Sequence, residues 1–271
     1  MSASLVNLVG DGFSGFGAAE PDVMTVSQFS RYLGEMKNSK QLMVLVGQGI
    51  PKQRLDPLIK QVAERGLDTC VKFILDRPLT PAEPRLSHKR FVHNVMLSTP
   101  TRSGTSDCFE AELLIDDQCA EMSDHVTGQH IQGAILIEAA RQMFLIVTEL
   151  FYLETAPGNG SYFVINRIDA QFLSFAFPIQ TTVRYLVREL RTGPKGLQFE
   201  ATVSFVQRQR VITEVQVAFG VYDSAQLCAK ESTKARAALD SLSDEYRDES
   251  SVRNRHEIRG GSPTSTVVGG A

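Results

Sequence analysis

No stretch of the sequence stays apolar for the ~18 residues that a membrane helix needs, because Glu138, Arg141 and Gln142 interrupt the longest run. Charge of one sign is not in excess either. There are 28 Lys and Arg against 31 Asp and Glu, a net charge of −3. That balance gives no general affinity for nucleic acid or acidic membranes. Cysteine is sparse, and Cys70, Cys108, Cys119 and Cys228 share no CxxC spacing. This excludes a disulfide framework and reads as reduced, cytosolic thiols. Met1–Gly17 has neither the basic start nor the apolar stretch of a secretory signal, so a cytoplasmic protein is expected.

What is present is 271 residues, enough for one large domain or two modest ones and for a real core. Three segments differ in texture. Residues 1–87 read as a small β/α unit. Leu5–Val9, Leu42–Val46 and Val71–Leu75 look like buried strands, and Thr25–Met36 and Pro51–Arg65 like helices. Pro51 suits a first helical turn and Gly66 a stop. Pro78, Pro81 and Pro84 mark the linker that follows. Residues 225–271 are rich in Ser, Arg, Glu and Gly, with a short helix around Cys228–Leu242. They are expected to form a flexible, mostly disordered tail.

The first segment holds a literal GxGxxG at Gly10, Gly12 and Gly15. As a dinucleotide loop it would need a helix running where Pro21 stands and an acidic residue ending the second strand. Neither is there, so a glycine-rich turn after an edge strand is the expectation.

Residues 88–224 hold one long apolar helix, roughly Ile131–Phe151, between strand-like stretches. Lys89–Thr99 and Asp107–Asp116 precede it; Tyr162–Leu173, Thr181–Leu190, Leu197–Val206 and Val211–Tyr222 follow. In the stretch Leu197–Val206, Phe199, Ala201, Val203 and Phe205 alternate with Glu200, Thr202 and Ser204. A helix apolar nearly all round is a buried one. The order β-β-α-β-β-β-β around such a helix predicts an α+β hotdog fold, an antiparallel sheet wrapped around one long helix.

Glu138, Arg141 and Gln142 break that apolar helix at spacings that share one face. Buried ionised groups are costly unless paired or functional. Two readings stand. In one, Glu138 and Arg141 form a structural pair and Gln142 binds backbone. In the other, the stripe faces a substrate pocket, with Glu138 as base or acid and Arg141 as anion clamp. The loop Asp124–Gly133 precedes the helix and carries His125, Gly128 and His130. A helix start offers unpaired N–H groups for an oxyanion or a thioester carbonyl, and His125 is a candidate general acid or base. Cys119, His125 and His130 fit no common zinc spacing, so no metal is expected.

The run Asp124-His125-Val126-Thr127-Gly128 through Leu136-Ile137-Glu138-Ala139-Ala140-Arg141-Gln142 resembles the DHxxG…LxEAxRQ signature of the A-factor biosynthesis hotdog family (AfsA-like). The Arg-Gln ending separates it from the hotdog dehydratases, which usually end in Ala-Gln. Weaker agreement covers the rest of residues 88–224, including Phe91-Val92-His93 and Gln207. The resemblance implies transfer of a β-ketoacyl group from an acyl-carrier-protein thioester to the hydroxyl of dihydroxyacetone phosphate. That step leads toward a γ-butyrolactone or butenolide signal of bacterial secondary metabolism. On that reading Glu138 deprotonates the acceptor, helped by His125, while amides near Gly133 hold the thioester oxygen. Arg141 and Arg167 hold the phosphate, and Asp124, Gly128, His130 and Gln142 complete the substrate-binding set. No cofactor is expected. A dehydratase, a thioesterase and a non-catalytic acyl-binding module are the alternatives. Signal-making family members carry two hotdog repeats, whereas this chain carries one signature. A homodimer is therefore expected, with the acyl tunnel at the junction.

Overall fold

The computed structural model describes residues 3–37, 41–104, 107–124, 128–153, 160–194 and 196–259. The chain divides into two compact units, Met1–Val221 and Tyr222–Ala271.

The first unit opens with four parallel strands: β1 Ser4–Val9, β2 Val23–Thr25, β3 Leu42–Val46 and β4 Val71–Ile74, side by side in the order β2-β1-β3-β4. Three helices connect them: α1 Ser14–Ala19, α2 Val26–Glu35 and α3 Lys52–Glu64. A capping box starts α2. The Thr25 hydroxyl accepts the Gln28 N–H, and the Gln28 side chain accepts the Thr25 N–H. Helices α2 and α3 bury Phe29, Leu33, Leu55, Leu58 and Val62 against Leu8, Val44 and Val46. Both helices and all three expected strands lie within a residue or so of the sequence reading.

Strand β1 corrects one expectation. It is an inner strand, flanked by β2 and β3, not an edge. The cause is β2, only three residues long and too short to leave a pattern. The glycine turn after β1 has a steric purpose: a Cβ on Gly10 would collide with the Gly49 carbonyl of the turn after β3.

The family-like half then forms a six-stranded sheet. Its strands are β5 Thr101–Arg102, β6 Cys108–Glu112, β7 Ser161–Phe172, β8 Thr182–Gly193, β9 Gly196–Gln207 and β10 Arg210–Asp223. They lie in the order β5-β6-β8-β9-β10-β7, so β7 occupies an outer edge. The pairs from β5 through β10 are antiparallel. Helix α4, Gly133–Phe151, packs on this sheet; Ile135, Ala139, Met143, Phe144 and Val147 are buried with Phe199, Val203 and Phe219. This is the hotdog arrangement.

The expected strand Lys89–Thr99 is not formed. Short 3-10 turns run over Pro84–Ser87 and Val92–Asn94, and only isolated bridges at Leu97 and Ser98 remain. Gln142 of α4 explains this. Its side chain takes the Met96 N–H and gives to the Asn94 carbonyl, using backbone groups that a strand partner would need. The second expected strand also stops early, at Glu112, because Leu113 and Ile115 turn to the seam with the β/α layer.

That seam is hydrogen-bonded through buried backbone. The Gln48 amide gives to the Leu113 and Ile179 carbonyls and accepts the Ile115 N–H. The Gln48 and Gly49 N–H groups bond Pro178 and Ile115 carbonyls. Asp11 and Asp117 share Arg54, and Arg77 gives to the Val46 carbonyl while facing Glu112. Beside the seam, between Leu5, Asn7 and Ile74 on one layer and Thr182, Arg184 and Val206 on the other, lies a cavity of about 790 Å³.

Among the described residues the second unit holds one helix, α5, Ser224–Arg259. Its side chains from Cys228 to Arg247 are exposed, Leu239, Leu242 and Tyr246 among them. The short helix expected around Cys228–Leu242 lies inside it. Among the described residues no helix is long and apolar enough to cross a membrane.

Candidate functional site

Three polar residues of α4 meet on one face, as their spacing requires. Arg141 grips Glu138 with a fork: Nε to Oε2 at 2.8 Å and Nη2 to Oε1 at 2.9 Å. Gln142 Nε2 adds a third bond to Oε1 at 3.0 Å. From outside the helix, Lys89 Nζ reaches the same oxygen at 2.9 Å and also approaches Glu121. Burial by itself would raise the Glu138 carboxyl. The bonds from Arg141 and Lys89, with the Arg141 charge, outweigh it and bring the pKa down to about 2. Glu138 and Arg141 thus face each other, and Gln142, fully buried, also binds the backbone at Asn94 and Met96.

The cluster is not sealed. On its far side Arg141 borders a cavity of about 210 Å³ with His88, Phe144, Leu145, Tyr162 and Phe163, and it bonds the Ser87 carbonyl. The β7 edge forms one wall of that cavity. His88 Nε2 lies 3.0 Å from Oε1 of Glu149, whose side chain is 1% exposed. The imidazole also meets the Phe163 ring edge to face, at 5.2 Å.

The other expected site residues stand elsewhere. His125 lies outside the described residues. Asp124 is exposed. Gly128 accepts the Phe16 N–H and sits against Gly15, at φ +58°. His130 lies beside Phe175 with the two rings tilted at 56°, and Arg167 is exposed on β7. Neither His130 nor Arg167 bonds the Glu138 cluster among the described residues. At the start of α4, Gly133 lies under the Phe172 ring; a Cβ there would come within 2.7 Å of it. Among the described residues no group of three or more His, Cys, Asp or Glu could hold a metal ion.

Sequence reasoning missed Lys89, His88 and Glu149. Lys89 and His88 come from a loop some fifty residues before α4 and leave no periodic trace. Glu149 did leave one. It falls eleven residues, three helical turns, after Glu138, on the stripe that already carries Arg141 and Gln142.

A family model described as the A-factor biosynthesis hotdog domain matches residues 73–223. No curated protein matches the chain. Among solved structures, a thioesterase of Pseudomonas aeruginosa, crystallised as a point variant, is 12% identical. The match covers 54% of this chain and 98% of that one, with a TM-score of 0.39. A thioesterase of Haemophilus influenzae is 15% identical over 45% of this chain and 76% of that one, with a TM-score of 0.34. The PaaI protein of the E. coli phenylacetic acid degradation operon is 16% identical over 42% and 71%, with a TM-score of 0.31.

Proposed function

From the premise that the chain belongs to the A-factor biosynthesis hotdog family, we propose an acyltransferase acting on acyl-carrier-protein thioesters. It moves a β-ketoacyl group to the hydroxyl of a small phosphorylated acceptor such as dihydroxyacetone phosphate, in the making of a γ-butyrolactone or butenolide signal. The observation that carries this reading is the cationic cluster around Glu138 of the signature helix. Lys89 and Arg141 are drawn together around an ionised Glu138, and Arg141 borders a cavity. Such a cluster suits a phosphorylated acceptor, because a doubly charged phosphate competes for Arg141 with a carboxylate. Glu138 then serves to gather and orient the two cations.

The reading includes a homodimer joined along β7. This strand has twelve residues, ends the sheet, and exposes Ile165 and Phe172. An uncovered apolar edge of that length is a template for another strand. A second copy paired there would border the cavity beside Arg141 and lengthen it into a tunnel.

One observation favours a non-catalytic acyl-binding module. Both Glu138 oxygens are already engaged, leaving the family's helix carboxylate no free role in proton transfer. The test is incubation with a β-ketoacyl-carrier thioester, with and without dihydroxyacetone phosphate. A phosphorylated ester seen by mass spectrometry is expected. Free thiol released without acceptor would mean a thioesterase. Tight acyl binding with no turnover in either assay would mean the module.

A further inference from the structure

Resting on the acyl-thioester reading above, we propose that His88 is the proton-transfer group of this site and that Glu149 positions it. Four observations converge on the pair. A carboxylate only accepts, so the 3.0 Å contact makes His88 Nε2 the donor to Glu149 Oε1. The neutral ring then keeps its lone pair on Nδ1, and no described residue bonds that nitrogen. This is the orientation by which a buried acid fixes the tautomer of a working histidine. Secondly, exposure divides between the partners as that role requires: the Glu149 side chain is 1% exposed and that of His88 35%. The acid is sealed, while the base can meet a substrate.

Thirdly, His88 stands at φ +54°, in the left-handed region that a residue with a Cβ enters at a cost. The surrounding structure maintains this conformation, and the edge-to-face contact with Phe163 holds the ring. Fourthly, His88 and Arg141 line the same 210 Å³ cavity. An acceptor whose phosphate lies on Arg141 would bring its hydroxyl to the imidazole. Glu138 is unsuited to the task because its oxygens are engaged by three side chains and its carboxyl is held ionised. A base works best near the ambient pH.

The step balances without a further reagent. Nδ1 of His88 takes the proton of the acceptor hydroxyl as its oxygen attacks the thioester carbonyl carbon. The tetrahedral intermediate collapses with loss of the C–S bond. The imidazolium then returns its proton to the departing thiolate, leaving an ester and a thiol. With water as the acceptor the same sequence is hydrolysis, so the pair serves either outcome of the assay above.

His88→Gly is the informative variant, because glycine accepts φ +54° without strain and leaves room for a free imidazole. Thiol release by the full chain is expected to fall by about 10²-fold or more in kcat, with KM within about twofold. Added imidazole is expected to restore part of the rate. Glu149→Gln should lower kcat by about tenfold or more at unchanged KM, since an amide no longer fixes the tautomer. His88→Asn, which also tolerates the left-handed region, guards against a folding effect and should be as slow as the glycine variant. Wild-type activity with undiminished kcat in His88→Gly, or a loss that imidazole does not relieve, overturns the His88 assignment alone. A wild-type protein that releases no thiol with either acceptor overturns the acyl-thioester reading and this one with it.

Discussion

Glu138 makes the stability of the protein sensitive to acid. Its folded pKa is about 2 against an ordinary 4.5. A depressed carboxyl contributes stability that is fully present above pH 4.5 and is lost as pH falls from there toward 2. The shift is worth about 2–3 kcal/mol after allowance for partial exposure. Urea unfolding at pH 7 should therefore separate wild type from Glu138→Gln by about that much, and the gap should shrink to about a quarter by pH 2.5. Gln48 sets a second expectation at this scale. Its buried amide serves two carbonyls and one N–H. Gln48→Leu leaves the Leu113 carbonyl and the Ile115 N–H without that partner, while Ile179 keeps the Thr181 hydroxyl; the cost is about 2–4 kcal/mol, read as a lower denaturant midpoint with an unchanged slope. Glu138, Arg141 and Gln142 were legible because an apolar helix makes any polar residue conspicuous. Lys89 and His88 were not, because a lysine or histidine in a polar loop carries no sign of what it will touch.

Among the elements, β7 and the start of α4 make the sharpest predictions. Ile165 is 42% exposed at the outer edge of the sheet. Ile165→Asp is expected to yield a monomer by sedimentation, with circular dichroism unchanged. At the start of α4, Gly133→Ala pushes a methyl group into the Phe172 ring. That ring is the far end of a side chain 53% exposed and can swing aside, so the cost should stay under about 1 kcal/mol, and Phe172→Ala in the same chain should remove it. Most of the elements could be read from the sequence. The helices and the four strands after α4 follow plain periodicities and end at turn residues. The failures have two causes. The Lys89–Thr99 stretch has a strand's composition, but Gln142 claims its backbone groups, and tertiary bonds of that kind leave no trace in local pattern. Strand β2 is simply too short to show one.

At the scale of the molecule, the sequence suggests a break near residue 87, but Met1–Val221 form one compact unit. The reason lies in the seam. Its bonds run mostly to main-chain carbonyls, which are the same in every sequence, so composition could not reveal it. Val9, Phe13 and Val23 of the β/α layer even share the core of the hotdog half. The protein should therefore melt in one cooperative calorimetric transition. A chain starting at residue 73, where the family match begins, should be insoluble or unfolded, having lost Gln48 and the cover over Ile115. The seam also changes what a survey of tolerated substitutions would mean here. Gly10 has no room for a single methyl group against Gly49. Variants at Gly10 would therefore be depleted as severely as variants at a catalytic position, with no ligand involved. In such a survey the GxGxxG would register as indispensable and invite a nucleotide, although its first glycine marks a place where two main chains meet.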